Sequence, residues 1–131
     1  MQRKHFLVLA GVLACFFSLS MLFAPAQMLS NMTTITDASA PHVFRWLGSA
    51  LLAVGVMNLL ARNDPGSDAL RAIMVGNIVL HAVAIILDLM DHIDGIVNKS
   101  GIVMGGIVHL GLIAGFAFYL SRMRRAPGAT A

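Results

Sequence analysis

Charged side chains make up only 11% of this chain, and cysteine, tryptophan and tyrosine occur once each. A soluble domain carries roughly a quarter of its residues as charges to coat its surface. A water-facing particle is therefore excluded. The lone Cys15 can form no internal disulfide, and without a CxxC pair there is no thiol-redox motif. There is no HExxH helix and no EF-hand loop, so no standard metal signature is present.

What the chain has in abundance is apolar residues, at 58% of 131, with a mean hydropathy of +0.82. They fall in four blocks, about 6–24, 42–61, 69–90 and 101–120. Each is near the ~20 residues that cross ~30 Å of hydrocarbon at 1.5 Å per residue. The expected fold is all-α: an integral membrane four-helix bundle running up-down-up-down in one domain. Asn63-Asp64-Pro65-Gly66 and Gly95 read as turns, and Ser67 or Asp68 is placed to cap the third span. Gln27 to Pro41 reads as a polar connection.

The net charge of +3 would suggest nucleic acid in a soluble domain, but here the basic residues flank the apolar blocks. Arg3, Lys4, Arg62, Arg71, Arg122, Arg124 and Arg125 fall on one side of a four-span chain, and Arg45 and Lys99 on the other. Lysine and arginine concentrate in cytoplasmic loops. Both termini are therefore expected in the cytoplasm, with a short basic tail over 121–131 and a location in the inner membrane. Residues 1–26 also resemble a secretory signal, with Ala24-Pro25-Ala26 as a cleavage-like site. The 19-residue apolar core is longer than a signal's, so an uncleaved span is expected.

Ionisable groups at membrane depth are costly and mark candidate sites. Asn77, His81 and Asp88 share one face of the third span, since offsets of four and seven repeat the helix period. His109 lies at similar depth in the fourth span, while the second carries Arg45 near its outer end and Asn58 near its inner end. Arg45 and Asp88 are expected at equal depth and able to pair. Asn58 and Asn77 lie at different distances from the inner face, so they meet directly only with a favourable tilt. His81 and His109 fit axial ligation of haem b or a proton or quinone site, or simple hydrogen bonding to neighbours. Asp91, His92 and Asp94, with His42 able to approach, are weaker candidates for metal ligands, and a solvated helix end explains them better. Gly101/Gly105 and Gly111/Gly115 are small-xxx-small pairs suited to helix contact, as are Gly48, Ser49 and Gly55.

Phe44-Arg45-Trp46-Leu47-Gly48 and the run Gly55 to Asn63 resemble small bacterial four-helix membrane proteins of the DoxX-like kind. So do Leu22-Phe23-Ala24-Pro25, Leu70-Arg71-Ala72-Ile73 with Gly76-Asn77, and His109-Leu110 leading to Gly115-Phe116-Ala117-Phe118-Tyr119. The resemblance implies a fold and a membrane location, and points to Arg45, Asn58, Arg71, Asn77 and His109 as positions to inspect. Three roles follow from these readings. The leading one is a non-enzymatic accessory, scaffold or small-ligand-binding membrane protein, as a homo-oligomer or in a larger membrane complex. The others are a haem- or quinone-linked redox protein using His81 and His109, and an oligomeric small transporter with an Asn77/His81/Asp88 path.

Overall fold

The computed structural model describes residues 1–123, and they form five α-helices. α1 is Arg3–Phe23, α2 is Pro25–Met32, α3 is Ala40–Leu60, α4 is Asp68–Ile93 and α5 is Lys99–Ser121. A 3₁₀ turn, Ala61–Asn63, closes α3. Among the described residues there is no strand, only an isolated bridge between Thr33 and Val97. α1, α3 extended by its 3₁₀ turn, α4 and α5 are each long and apolar enough to cross a bilayer. The expected tail lies, beyond Met123, outside the described residues.

Local signals set the ends. Ser67 caps α4 by accepting from Leu70 N at 3.1 Å, and Asn98 caps α5 by accepting from Gly101 N at 2.8 Å. Pro25 and Pro41 sit in the first turns of α2 and α3, where no intrahelical N–H partner is lost. The connection expected over Gln27 to Pro41 is corrected in part: its first residues belong to α2. That short helix is bound to the start of α5 by Asn98 N donating to Met32 O at 3.0 Å and Asn98 Nδ2 to Asn31 O at 3.0 Å.

α1 and α3 approach backbone to backbone. A Cβ on Gly55 would stand 2.7 Å from Cys15 Sγ and 3.0 Å from both Cys15 N and Gly11 O. One on Gly11 would stand 2.9 Å from Gly55 O, and one on Gly48 3.2 Å from Ser18 O. Here backbone meets backbone, the contact that drives association where lipid is as apolar as leucine. Ser18 Oγ fills the seam and donates to Gly48 O at 2.8 Å. The glycines of α5 act differently. Gly101 makes room for the Met32 carbonyl, Gly105 for the Asp88 carboxyl and Gly115 for the Phe6 ring, while Gly106 and Gly111 face open space. The expected Gly111/Gly115 pair is thus not a contact seam.

Phe6, Leu7 and Ala10 of α1, Leu70 and Met74 of α4, and Leu112 and Phe116 of α5 form the core. Phe6 meets Phe116 edge to face at 4.8 Å. α1 has 33% of its most apolar window buried, against 17% for each other long helix. The outward faces carry large apolar side chains, such as Val79, Val83, Ile86 and Leu110, which suit hydrocarbon. At one end Tyr119 Oη donates to Met1 O at 2.6 Å, Arg3 to Asp64 O, and Arg71 to Met123 O. At the other, Thr34 N donates to Ile96 O at 2.8 Å.

The loop before α4 is organised by Asp64, whose carboxylate accepts from Ser67 N, Gly66 N and Ser67 Oγ, each at 2.7 Å. Gly66 takes φ +127°, open to glycine alone. Bonds from Ser67 and Gly66, with Arg3 nearby, hold the Asp64 carboxyl below its ordinary 3.8. The ionised form therefore stabilises the loop above pH 3.8, and that contribution is lost as pH falls through the lower folded-state value. A ¹³C titration of the Asp64 carboxyl should show a midpoint below 3.8; a midpoint at or above it contradicts the loop geometry.

Gly55→Ala should destabilise the fold by roughly 1–3 kcal/mol through overpacking. Gly111→Ala, with nothing within 4 Å of its Cβ position, should stay within about 0.5 kcal/mol of the parent. Unfolding in mixed micelles distinguishes the two.

Candidate functional site

α4 and α5 pack along most of their length, as do α1 and α3, whereas α3 and α4 touch at few places. This pairing decides where each polar residue goes. Arg45, expected to meet Asp88, does not. Its Nε donates to Leu22 O at 3.2 Å, one of the end carbonyls of α1 that lack an intrahelical partner. At that level α3 lies against α1 rather than against α4, so equal depth does not bring Arg45 to Asp88.

Asn58 and Asn77 do meet, so the tilt that their pairing needs is present. Asn58 Nδ2 donates to Asn77 Oδ1 at 3.0 Å and Asn77 Nδ2 returns to Asn58 Oδ1 at 3.2 Å. Asn77 Nδ2 also reaches Ile73 O at 2.8 Å. Both side chains are buried, at 1% and 4% exposure. α4 has 26 residues against 21 in α3, so its depth cannot be counted from the start of the helix.

His81 and His109 face each other across α4 and α5 with their Nδ1 atoms 2.9 Å apart. One Nδ1 must donate and the other accept, so the rings hold complementary tautomers. Two protonated rings would set N–H against N–H. With ring centres 5.0 Å apart, their charges would repel by roughly 3 kcal/mol at an effective dielectric constant of ~20. The pair therefore accommodates one imidazolium at most. His81 is 8% exposed and lies parallel to the Phe116 ring at 6.4 Å.

Asp88 extends the line. Its Oδ2 is 3.8 Å from His109 Nε2, an electrostatic contact that about 1 Å of closure converts to a hydrogen bond. The carboxyl fits because residue 105 is glycine: a Cβ there would stand 2.8 Å from Asp88 Oδ2. Asp88, His109 and His81 thus form a continuous chain of titratable groups, and Asn77 is turned away from it to Asn58. Sequence periodicity placed Asn77, His81 and Asp88 on one face but could not show that the face divides between two helices. Ser18 and Gly11 were missed, since a lone serine or glycine in an apolar block carries no periodic signal.

In this arrangement the two rings are joined to each other through their Nδ1 atoms at 2.9 Å. Asp91, His92 and Asp94 stay at the end of α4, where the His92 ring donates to Val97 O at 2.8 Å. His42 instead accepts from Trp46 Nε1 at 3.1 Å on the face of α3. Among the described residues, no three His, Cys, Asp or Glu side chains gather as a metal would need. An open groove of about 540 Å³ lies between α1 and α5, lined by apolar residues such as Leu9, Leu13 and Ile107.

No family model, curated protein or solved structure matches this chain.

Replacing Asn58 by leucine should cost about 1 kcal/mol, within the ~0.6–1.7 kcal/mol range of hydrogen bonds between membrane helices. The Asn58→Leu/Asn77→Leu double variant should lose less than the two single losses added, because neither amide is then orphaned. Strict additivity in a double-mutant cycle contradicts the pairing.

Proposed function

We propose that this chain is a non-enzymatic multi-pass membrane protein acting as an accessory or scaffold subunit, by self-association or within a larger membrane complex. The observation that carries this reading is how the polar groups are spent. Ser18 bonds to Gly48, Asn58 to Asn77 and His81 to His109, each tying one helix to another. Side chains committed to each other in this way hold helices together rather than present a reaction centre to a substrate. The resemblance to DoxX-like membrane proteins is part of the same proposal and points to the same role.

The topology proposed is up-down-up-down, with both termini in the cytoplasm and the inner membrane as the location. Two observations support it. Met1, Arg3, Asp64, Tyr119 and Met123 meet at one end, as alternating spans require. That end also carries Arg62, Arg71 and Arg122, the bias of cytoplasmic loops. α1 is proposed to be a retained span rather than a cleaved signal. It supplies Phe6, Leu7 and Ala10 to the core and the backbone seam to α3, so its removal would strip α3 of its main partner.

The reading is tested by the absorption spectrum and native mass of the protein purified in nanodiscs. We expect a colourless preparation with a mass above that of one 13.9 kDa chain. A Soret band lost in His81→Ala or His109→Ala would overturn the cofactor-free account, and a strictly monomeric mass without partners would overturn the assembly role.

A further inference from the structure

The chain of titratable groups in α4 and α5 is open at one end and closed at the other. At the open end the Asp88 side chain is 30% exposed and lies a turn before Asp91, close to the loop joining the two helices. At the closed end His81 rests on Phe116. The next turn of α4 carries Asn77, whose amide is occupied by Asn58 and Ile73 O. Beyond it Met74, Leu70, Leu112 and Phe6 fill the interior with apolar atoms. Among the described residues, the buried core in that direction holds no ionisable side chain.

The groups that bear on the pair are few. α4 contributes Asp88 and, further out, Asp91. α5 contributes His109, with Lys99 and Arg122 at its two ends. α3 presents the neutral Asn58 at the Asn77 level, and its Arg45 is held by Leu22 O. α1 presents the Phe6 ring and Leu7, with Cys15 turned to Gly55. Among the described residues, Asp88 is therefore the one carboxylate in direct reach of the histidines.

We propose that Asp88, His109 and His81 form a binding site for a single proton, loaded from the α4–α5 loop end and closed toward the opposite end. In the loaded state the proton lies between Asp88 Oδ2 and His109 Nε2. His109 keeps the hydrogen on Nδ1 and donates it to His81 Nδ1, and His81 carries its own hydrogen on Nε2. The incoming proton leaves a water molecule at the loop face, a new N–H or O–H bond forms, and no bond within the protein breaks. Loading converts a lone carboxylate into a neutral imidazolium–carboxylate pair, which removes an uncompensated charge from hydrocarbon. A second proton is refused because it would face one Nδ1–H against the other. The protein thus registers proton activity at one membrane face without passing protons to the other, a property beyond that of a scaffold.

Histidine ¹⁵N spectra of the protein in lipid bilayers, recorded against pH, count the protons directly. One proton should titrate across His81 and His109 together. Asp88→Asn should abolish the imidazolium signal or lower its midpoint by at least about one pH unit. Gly105→Ala, which keeps every titratable group but crowds the Asp88 carboxyl, should lower the midpoint in the same direction. Should Asp88→Asn fail to fold, Gly105→Ala alone carries the comparison, with native mass as its folding control. Proteoliposomes should pass protons no faster than empty ones. Two independent histidine titrations, a midpoint unmoved in folded Gly105→Ala, or protein-dependent proton flux would each overturn the proposal.

Discussion

A polar group within hydrocarbon has no water to fall back on, and every one must find its partner on the protein. Much of this structure follows from that constraint. Ser18 finds a carbonyl of α3, Asn58 finds Asn77, and His81 finds His109. Each partner lies on another helix, so the helices have to come close where the polar residue sits. Glycine is what lets them. Gly48 stands under Ser18, Gly55 lies one turn from Asn58, and Gly105 opens the notch that takes Asp88. Polar side chains and glycines form matched sets, and an added methyl at one is felt by the other.

The same constraint arranges the helices as two close pairs, α1 with α3 and α4 with α5. The first is held by backbone contact at Gly11 and Gly55 and carries no ionisable group at mid-depth except Cys15. The second carries the titratable groups. The pairs are joined by the asparagine bridge and by the aromatic core around Phe6 and Phe116. This division leaves the Asp88 end of the histidine line at the margin of the bundle and seals the His81 end in its interior.

Much of this was legible in the sequence, for physical reasons. Hydropathy reports length, and the long helices begin and end within three residues of the apolar blocks. Ser67 was legible as a cap because capping is local. The stripe of Asn77, His81 and Asp88 was legible because helical period is fixed. What hydropathy does not report is rotation and neighbour choice, since most faces of these helices are apolar. Arg45 was therefore assigned the wrong partner, and the asparagine contact was left to depend on helix tilt. α2 went unread because Pro25–Met32 is too short and too polar to stand out from a loop. Gly11 and Ser18, which make the seam between α1 and α3, were invisible because closeness is a property of two helices, and a sequence shows one at a time.

The histidine contact is where structure and function meet. If the pairing constraint governs this molecule, His81 and His109 share a hydrogen bond in the bilayer. A through-bond ¹⁵N–¹⁵N correlation between their Nδ1 atoms, recorded by solid-state NMR on selectively labelled protein, measures this directly. The correlation should be present, at a separation matching 2.9 Å. Its absence, with a dipolar distance beyond about 4 Å, well outside hydrogen-bond length, would contradict the account.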